Sequence, residues 1–113
     1  MDDKFPEILT NDHRVIVKAS GSLGKDGSEH VRRAILSCLS KGDRQLVLDM
    51  RAVPYINSDG LRMLQDVLRE AETLDASLSL ASPNSSVLRT LSLTRLDRQV
   101  PVYRSVEEAL REA

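Results

Sequence analysis

Few side chains in this 113-residue sequence could carry chemistry, and they are scattered. Its two histidines, His13 and His30, fall in a turn-like segment and on the polar side of a helical pattern. A thiolate-rich metal site needs several converging ligands, and Cys38 is the sole cysteine,. Cys38 also sits among apolar residues at helical spacing, which suits a small buried side chain better than a reactive thiolate. Gly21-Ser22-Leu23-Gly24-Lys25-Asp26 has the outline of a phosphate loop. That loop requires four residues between its glycines and Ser or Thr after the lysine, whereas two residues intervene here and Asp26 follows Lys25,. Asp49 closes an apolar run without a neighbouring base, nucleophile or ligand, so bonding to backbone amides or supporting a loop is its expected role.

One group remains, Asn57-Ser58-Asp59-Gly60-Leu61-Arg62. It puts three short polar side chains where a helical pattern opens. Helix N-termini carry unpaired N–H groups and the positive end of the helix dipole, so a carboxylate or phosphate there is stabilised by about 0.3–1 kcal/mol. On that physics alone the group reads as an ordinary cap, since Asn, Ser and Asp all favour such positions. With no catalytic constellation, metal set or cofactor motif, the sequence reads as a binding protein rather than an enzyme.

The elements that would position this group follow from hydrophobic spacing. Phe5 to Leu9 and Val15 to Ala19 flank TNDHR, in which Asn11 and Asp12 favour a turn, so a β-hairpin is expected. A glycine-rich loop follows, with Asp26 and Glu29 as the expected cap of a helix over Ser28 to Lys41 that Gly42 ends. Val31, Ala34, Ile35, Cys38 and Leu39 form its apolar face. Leu46, Val47 and Leu48 are apolar without alternation, as in a strand covered on both faces. A second helix should place Leu61, Leu64, Val67, Leu68, Ala71 and Leu74 inward, with Arg62, Gln65, Asp66, Arg69 and Glu70 outward. Ser77 to Ala81 reads as a strand, SPNSS as the start of a helix carrying Val87, Leu88 and Leu91, and Val100 to Tyr103 as a last strand. Ser105 and Glu108 form a capping box for a terminal helix. Repeated βα units imply an α/β fold with a mixed, mostly parallel sheet, about four helices and right-handed crossovers, in one domain over residues 1–113.

Composition narrows the function classes. Hydrophobic residues make up 41% and charged residues 29%, with a formal net charge of -1, which is ordinary globular usage and excludes disorder,. A near-neutral chain lacks the basic surface that nucleic-acid binding draws on, so no nucleic-acid partner is expected. No apolar run approaches the roughly 20 residues of a membrane-spanning helix, and MDDKFPEILTND lacks the features of a secretory signal. A cytoplasmic location without direct membrane insertion is the expectation.

The stretch LVLDMRAVPYINSDGLRML resembles the signature of STAS domains, the sulfate-transporter and anti-sigma-factor-antagonist family: an apolar strand ending in Asp, then V-x-F-h-D-S-S-G-L. The resemblance extends to Gly21-Ser22-Leu23, to Leu91-Ser92-Leu93-Thr94-Arg95-Leu96 and to the closing EEAL. It implies a STAS-like mixed sheet, and a bacterial antagonist that binds an anti-sigma factor of the histidine-kinase-like ATPase type through Asn57 to Arg62. In that family the partner phosphorylates the Ser immediately before the motif glycine, and binding then fails. Here that position is Asp59, and the preceding acidic position is Asn57. The usual acceptor is absent, and only a one-residue shift would make Ser58 an acceptor. Asp59 carries about one charge where a phosphate carries nearly two, so it either mimics a phosphorylated state or suits a partner without phosphate control. A scaffold or accessory subunit of a stress-sensing assembly or lipid-transport ABC complex is the alternative, and a homodimer stays open for either.

Overall fold

A computed structural model describes residues 6–11 and 13–112. Phe5 and Asp12, expected in the first strand and its turn, lie outside the described residues. β1 (Glu7–Asn11) and β2 (Arg14–Ser20) form the hairpin, and both strands run further into the expected turn than TNDHR suggests. Asn11 pairs directly with Arg14, which closes the hairpin. His13 takes φ 74 there, the left-handed conformation that such tight hairpins require,.

Then follow α1 (Lys25–Ser40), β3 (Gln45–Ala52), α2 (Ser58–Thr73), β4 (Ser77–Ala81), α3 (Ser85–Leu93), a short 3-10 turn at Leu96–Arg98, β5 (Val102–Tyr103) and α4 (Val106–Glu112). The sheet order is β1-β2-β3-β4-β5, antiparallel between β1 and β2 and parallel from β2 onwards. This is the expected mixed α/β architecture, with four helices and five strands among the described residues.

The two faces of the sheet are covered unequally. Val15, Val17, Leu46, Leu48, Met50, Leu78 and Leu80 meet α1, α2 and α3 in the main core. Ile16, Val47 and Ala81 meet Ala109 of α4 in a smaller one, with Tyr103, Val106 and Leu110 packed at its edge. Alternate residues of β3 therefore serve different layers, which is why Leu46 to Met50 are buried without interruption,. Complete burial of each such aliphatic side chain contributes roughly 1.5–3 kcal/mol.

Several local expectations are corrected. α1 starts at Lys25, three residues before Ser28. Its N-cap is Gly24, with no side-chain cap bond, so Asp26 lies inside the first turn instead of capping it. Met63 is buried on α2 while Leu61, Leu68 and Leu74 are half-buried, because the inward face centres on Gly60, Leu64, Val67 and Ala71. Leu88, expected in the α3 core, is 44% exposed. Val100 is buried but precedes β5, whose pairing with β4 begins only at Val102. The capping box of α4 closes one residue early: Glu108 N donates to Ser105 Oγ at 3.0 Å, while Glu108 Oε1 accepts from Arg104 N at 2.9 Å.

Candidate functional site

The carboxyl ends of β2, β3 and β4 lead through short loops into the first turns of α1, α2 and α3, so three helix N-termini gather at one end of the sheet. This is the end where open α/β sheets present their binding loops. The middle of it is the predicted group. Asn57 is the N-cap of α2, with extended backbone, and its Oδ1 accepts from Asp59 N at 2.8 Å and Gly60 N at 3.2 Å. Two of the unpaired donors of the first turn are thus already satisfied by the chain itself. Ser58, Asp59 and Arg62 are exposed, Leu61 is half-buried, and Gly60 is buried. The structure brings all six residues together on one turn. Asp59 sits where the helix dipole favours negative charge, and Arg62 forms no ion pair among the described residues,.

This turn is held by a second strip of chain. Gly21 N donates to Ala52 O at 2.9 Å, Leu23 N to Tyr55 O at 3.2 Å, and Asn57 N to Leu23 O at 3.4 Å. Leu23 and Ile56 form an isolated parallel bridge, so the sheet pairing continues past β2 and β3 into the loops. Gly21 supports it with φ 85, a conformation glycine adopts without strain,. Gly60 permits the approach of α2: a Cβ there would stand 2.4 Å from Ile56 Cγ1 and 2.6 Å from Leu23 O. The phosphate-loop likeness of residues 21–26 dissolves here, since the amides of Gly21 and Leu23 bond to the carbonyls of Ala52, at the end of β3, and Tyr55, in the loop after it.

Asp49 lies elsewhere. It is on the α4 face of β3, 7% exposed, and its Oδ1 accepts from Arg51 N at 3.0 Å, a bond within its own strand end. Asn84, not singled out from the sequence, does more to brace the site. It caps α3 by accepting from Val87 N at 2.8 Å, and its amide donates to Val53 O at 3.2 Å and Pro54 O at 3.0 Å. The SPNSS pattern revealed the cap, but the bonds to residues some thirty positions away have no local sequence signal.

His13 and His30 are exposed and apart. Cys38 is buried in the main core, and burial, with Asp43 nearby, raises its thiol pKa above the ordinary value. Among the described residues no three His, Cys, Asp or Glu side chains group as metal ligands, and no helix is long and apolar enough to cross a membrane.

Comparison with known proteins extends this geometry. The STAS domain family model matches residues 5–109. The chain belongs to the STAS domain family. A relative from Thermotoga neapolitana, named as a candidate anti-sigma factor antagonist, is 36% identical over 74 residues, or 66% of either chain. The crystal structure of a similarly named candidate antagonist from Thermotoga maritima superposes with a TM-score of 0.87 at 29% identity, covering 93% of this chain and 91% of that one. The Bacillus cell-fate determinant SpoIIAA, solved in its phosphorylated form, shares the STAS fold at a TM-score of 0.72 and 17% identity, with 94% and 96% coverage.

Proposed function

We propose that this STAS chain is an anti-sigma-factor antagonist, acting as one cytoplasmic domain over residues 1–113 without catalysing a reaction. Asn57, Ser58, Asp59, Gly60, Leu61 and Arg62 dock an anti-sigma factor of the histidine-kinase-like ATPase type. The observation that carries the reading is the exposed first turn of α2, with Ser58, Asp59 and Arg62 open to a partner on a frame tied by Gly21, Leu23 and Asn84. The names of its Thermotoga relatives support the same role.

Asp59 gives this turn a permanent negative charge, about half that of a phosphate. Two states of the protein follow from that. Either Asp59 holds the surface in a weakened, phosphorylated-like form, or the partner has no phosphate control and the chain is a constitutive antagonist or scaffold. The replacement of the acceptor Ser by Asp59 is what favours keeping the scaffold reading, as a component of a stress-sensing assembly or a lipid-transport ABC complex.

The test measures affinity for purified anti-sigma factors from the same genome, with wild type and Asp59→Ser, each with and without ATP and with intact mass recorded. Wild type that stays unmodified and weak, beside a variant that gains phosphate and then loses binding, supports a built-in phosphomimic. Tight binding of wild type regardless of ATP supports the constitutive form. Absence of binding by either protein to every ATPase-type regulator, with recovery of another partner class, refutes the antagonist reading.

A further inference from the structure

β1 is the outermost strand of the sheet, and among the described residues nothing pairs with its outer edge. Its register places Asn11 opposite Arg14, the closing pair of a two-residue hairpin,. Residues of an antiparallel ladder alternate between bonding inward and presenting their backbone groups outward. Glu7, Leu9 and Asn11 therefore bond towards β2, whereas the N–H and C=O of Ile8 and Thr10 face out. Soluble proteins blunt such an edge with lysine, proline or a bulge. The strand EILTN contains neither residue, and its register with β2 runs unbroken. Ile8 and Leu9 are each 41% exposed. They lie on opposite faces, Ile8 beside Val17 of the main core and Leu9 beside Ile16 of the α4 layer.

We infer that the chain self-associates through β1, pairing antiparallel with a second copy across a two-fold axis at Leu9. Ile8 then lies opposite the partner's Thr10, and Thr10 opposite the partner's Ile8, each pair exchanging both backbone hydrogen bonds. Leu9 meets the partner's Leu9 at the closer, non-hydrogen-bonded spacing, apolar on apolar. Glu7, the one charged residue of the strand, falls opposite the partner's Asn11, so no like charges face each other. That self-complementarity about Leu9 selects a second copy over a foreign strand. The inference is independent of the docking role of α2, whose first turn stands at the end of the sheet and leaves this edge free. A five-residue edge falls short of the roughly 1,200 Å² of a standard interface, so the dimer forms as concentration rises,.

The test is sedimentation velocity on the full chain between roughly 10 μM and 1 mM, with amide exchange followed at both ends of that range. The expected result is a monomer that becomes a dimer, with Ile8 and Thr10 amides exchanging freely in the monomer and protected in the dimer. Leu9→Lys sets two ammonium groups across the axis and abolishes the dimer over that range. Thr10→Pro deletes an outward donor without touching the inward ladder and does the same. Leu93→Lys, on a leucine 75% exposed on α3, leaves the dimer intact. Should Thr10→Pro unfold the hairpin, seen as lost protection in β2, Leu9→Lys decides. A monomer at every concentration, a dimer that survives Leu9→Lys, a dimer broken by Leu93→Lys, or protection of Ile8 and Thr10 that ignores concentration overturns the inference.

Discussion

Replacing Gly60 by alanine sets two effects of opposite sign against each other. Inside a helix alanine is favoured over glycine by about 1 kcal/mol, because glycine loses more backbone freedom on folding. The new Cβ, however, would stand 2.4 Å from Ile56 Cγ1, 1.0 Å short of the 3.4 Å at which ordinary contact begins, and 2.6 Å from Leu23 O. Neither neighbour yields easily. Ile56 is 6% exposed, and the Leu23 carbonyl accepts from Asn57 N. Relief requires the first turn of α2 to move away from the loop, and such overpacking costs about 1–3 kcal/mol. Because the clash involves backbone, the upper half of that range applies, and the net effect is a destabilisation of about 1–2 kcal/mol. Urea denaturation reads this directly: the midpoint should fall with the slope unchanged. The displaced Ser58 and Asp59 should weaken partner binding as well. A neutral or stabilised Gly60→Ala protein would show that propensity wins, and would refute the argument that this glycine sets the spacing between α2 and its supporting loop.

Four further outcomes follow from the same structure. Asn57→Ala removes the acceptor for Asp59 N and Gly60 N and should cost about 1 kcal/mol by urea denaturation, while Asn57→Asp keeps the cap and should lose little,. Asp66→Asn removes the charge from the 2.7 Å bond to Arg32 that joins α1 to α2, but both side chains are about a third exposed, so the loss should stay below about 1 kcal/mol and shrink in high salt,. Ser79→Ala removes a buried hydroxyl that has no hydrogen-bond partner and should leave the melting temperature unchanged or raise it by a few degrees in calorimetry,. Cys38, its thiol pKa raised by burial, should resist alkylation in the folded protein. Its contribution to stability is full below the unfolded thiol pKa of roughly 8.5 and is lost as pH climbs towards the folded value, so the pH dependence of denaturation above that point should flatten in Cys38→Ala,.

Elements with strong periodicity were legible in the sequence. The uninterrupted apolar run of β3 signalled burial on both faces, and the spacing of Leu64, Val67 and Ala71 marked α2. The capping tendency of Asn57 was also readable, because caps are local events. What escaped was set by distant partners. Nothing near Asn84 announces its bonds to Val53 and Pro54, and nothing near Gly24 announces that the chain turns into α1 without a side-chain cap. Leu88 fits the apolar spacing of α3 yet is exposed, because so short a helix buries only a narrow stripe, Val87 and Leu91. The close packing of Gly60 was equally invisible, since beside its near neighbour Ile56 it meets the carbonyl of Leu23, nearly forty positions earlier.

The ladder that joins Gly21 and Leu23 to Ala52, Tyr55 and Asn57 has a consequence for how information leaves this end of the sheet. Segments that respond to a new charge by refolding must have somewhere to go, and a first turn laced on one side to paired loops does not. A substitution or modification at Ser58 or Asp59 would alter the electric potential of a surface whose outline stays the same. A partner would then distinguish two forms by field rather than by shape: backbone traces of the forms should coincide, and the difference in their affinities should fade as added salt shortens the reach of that field.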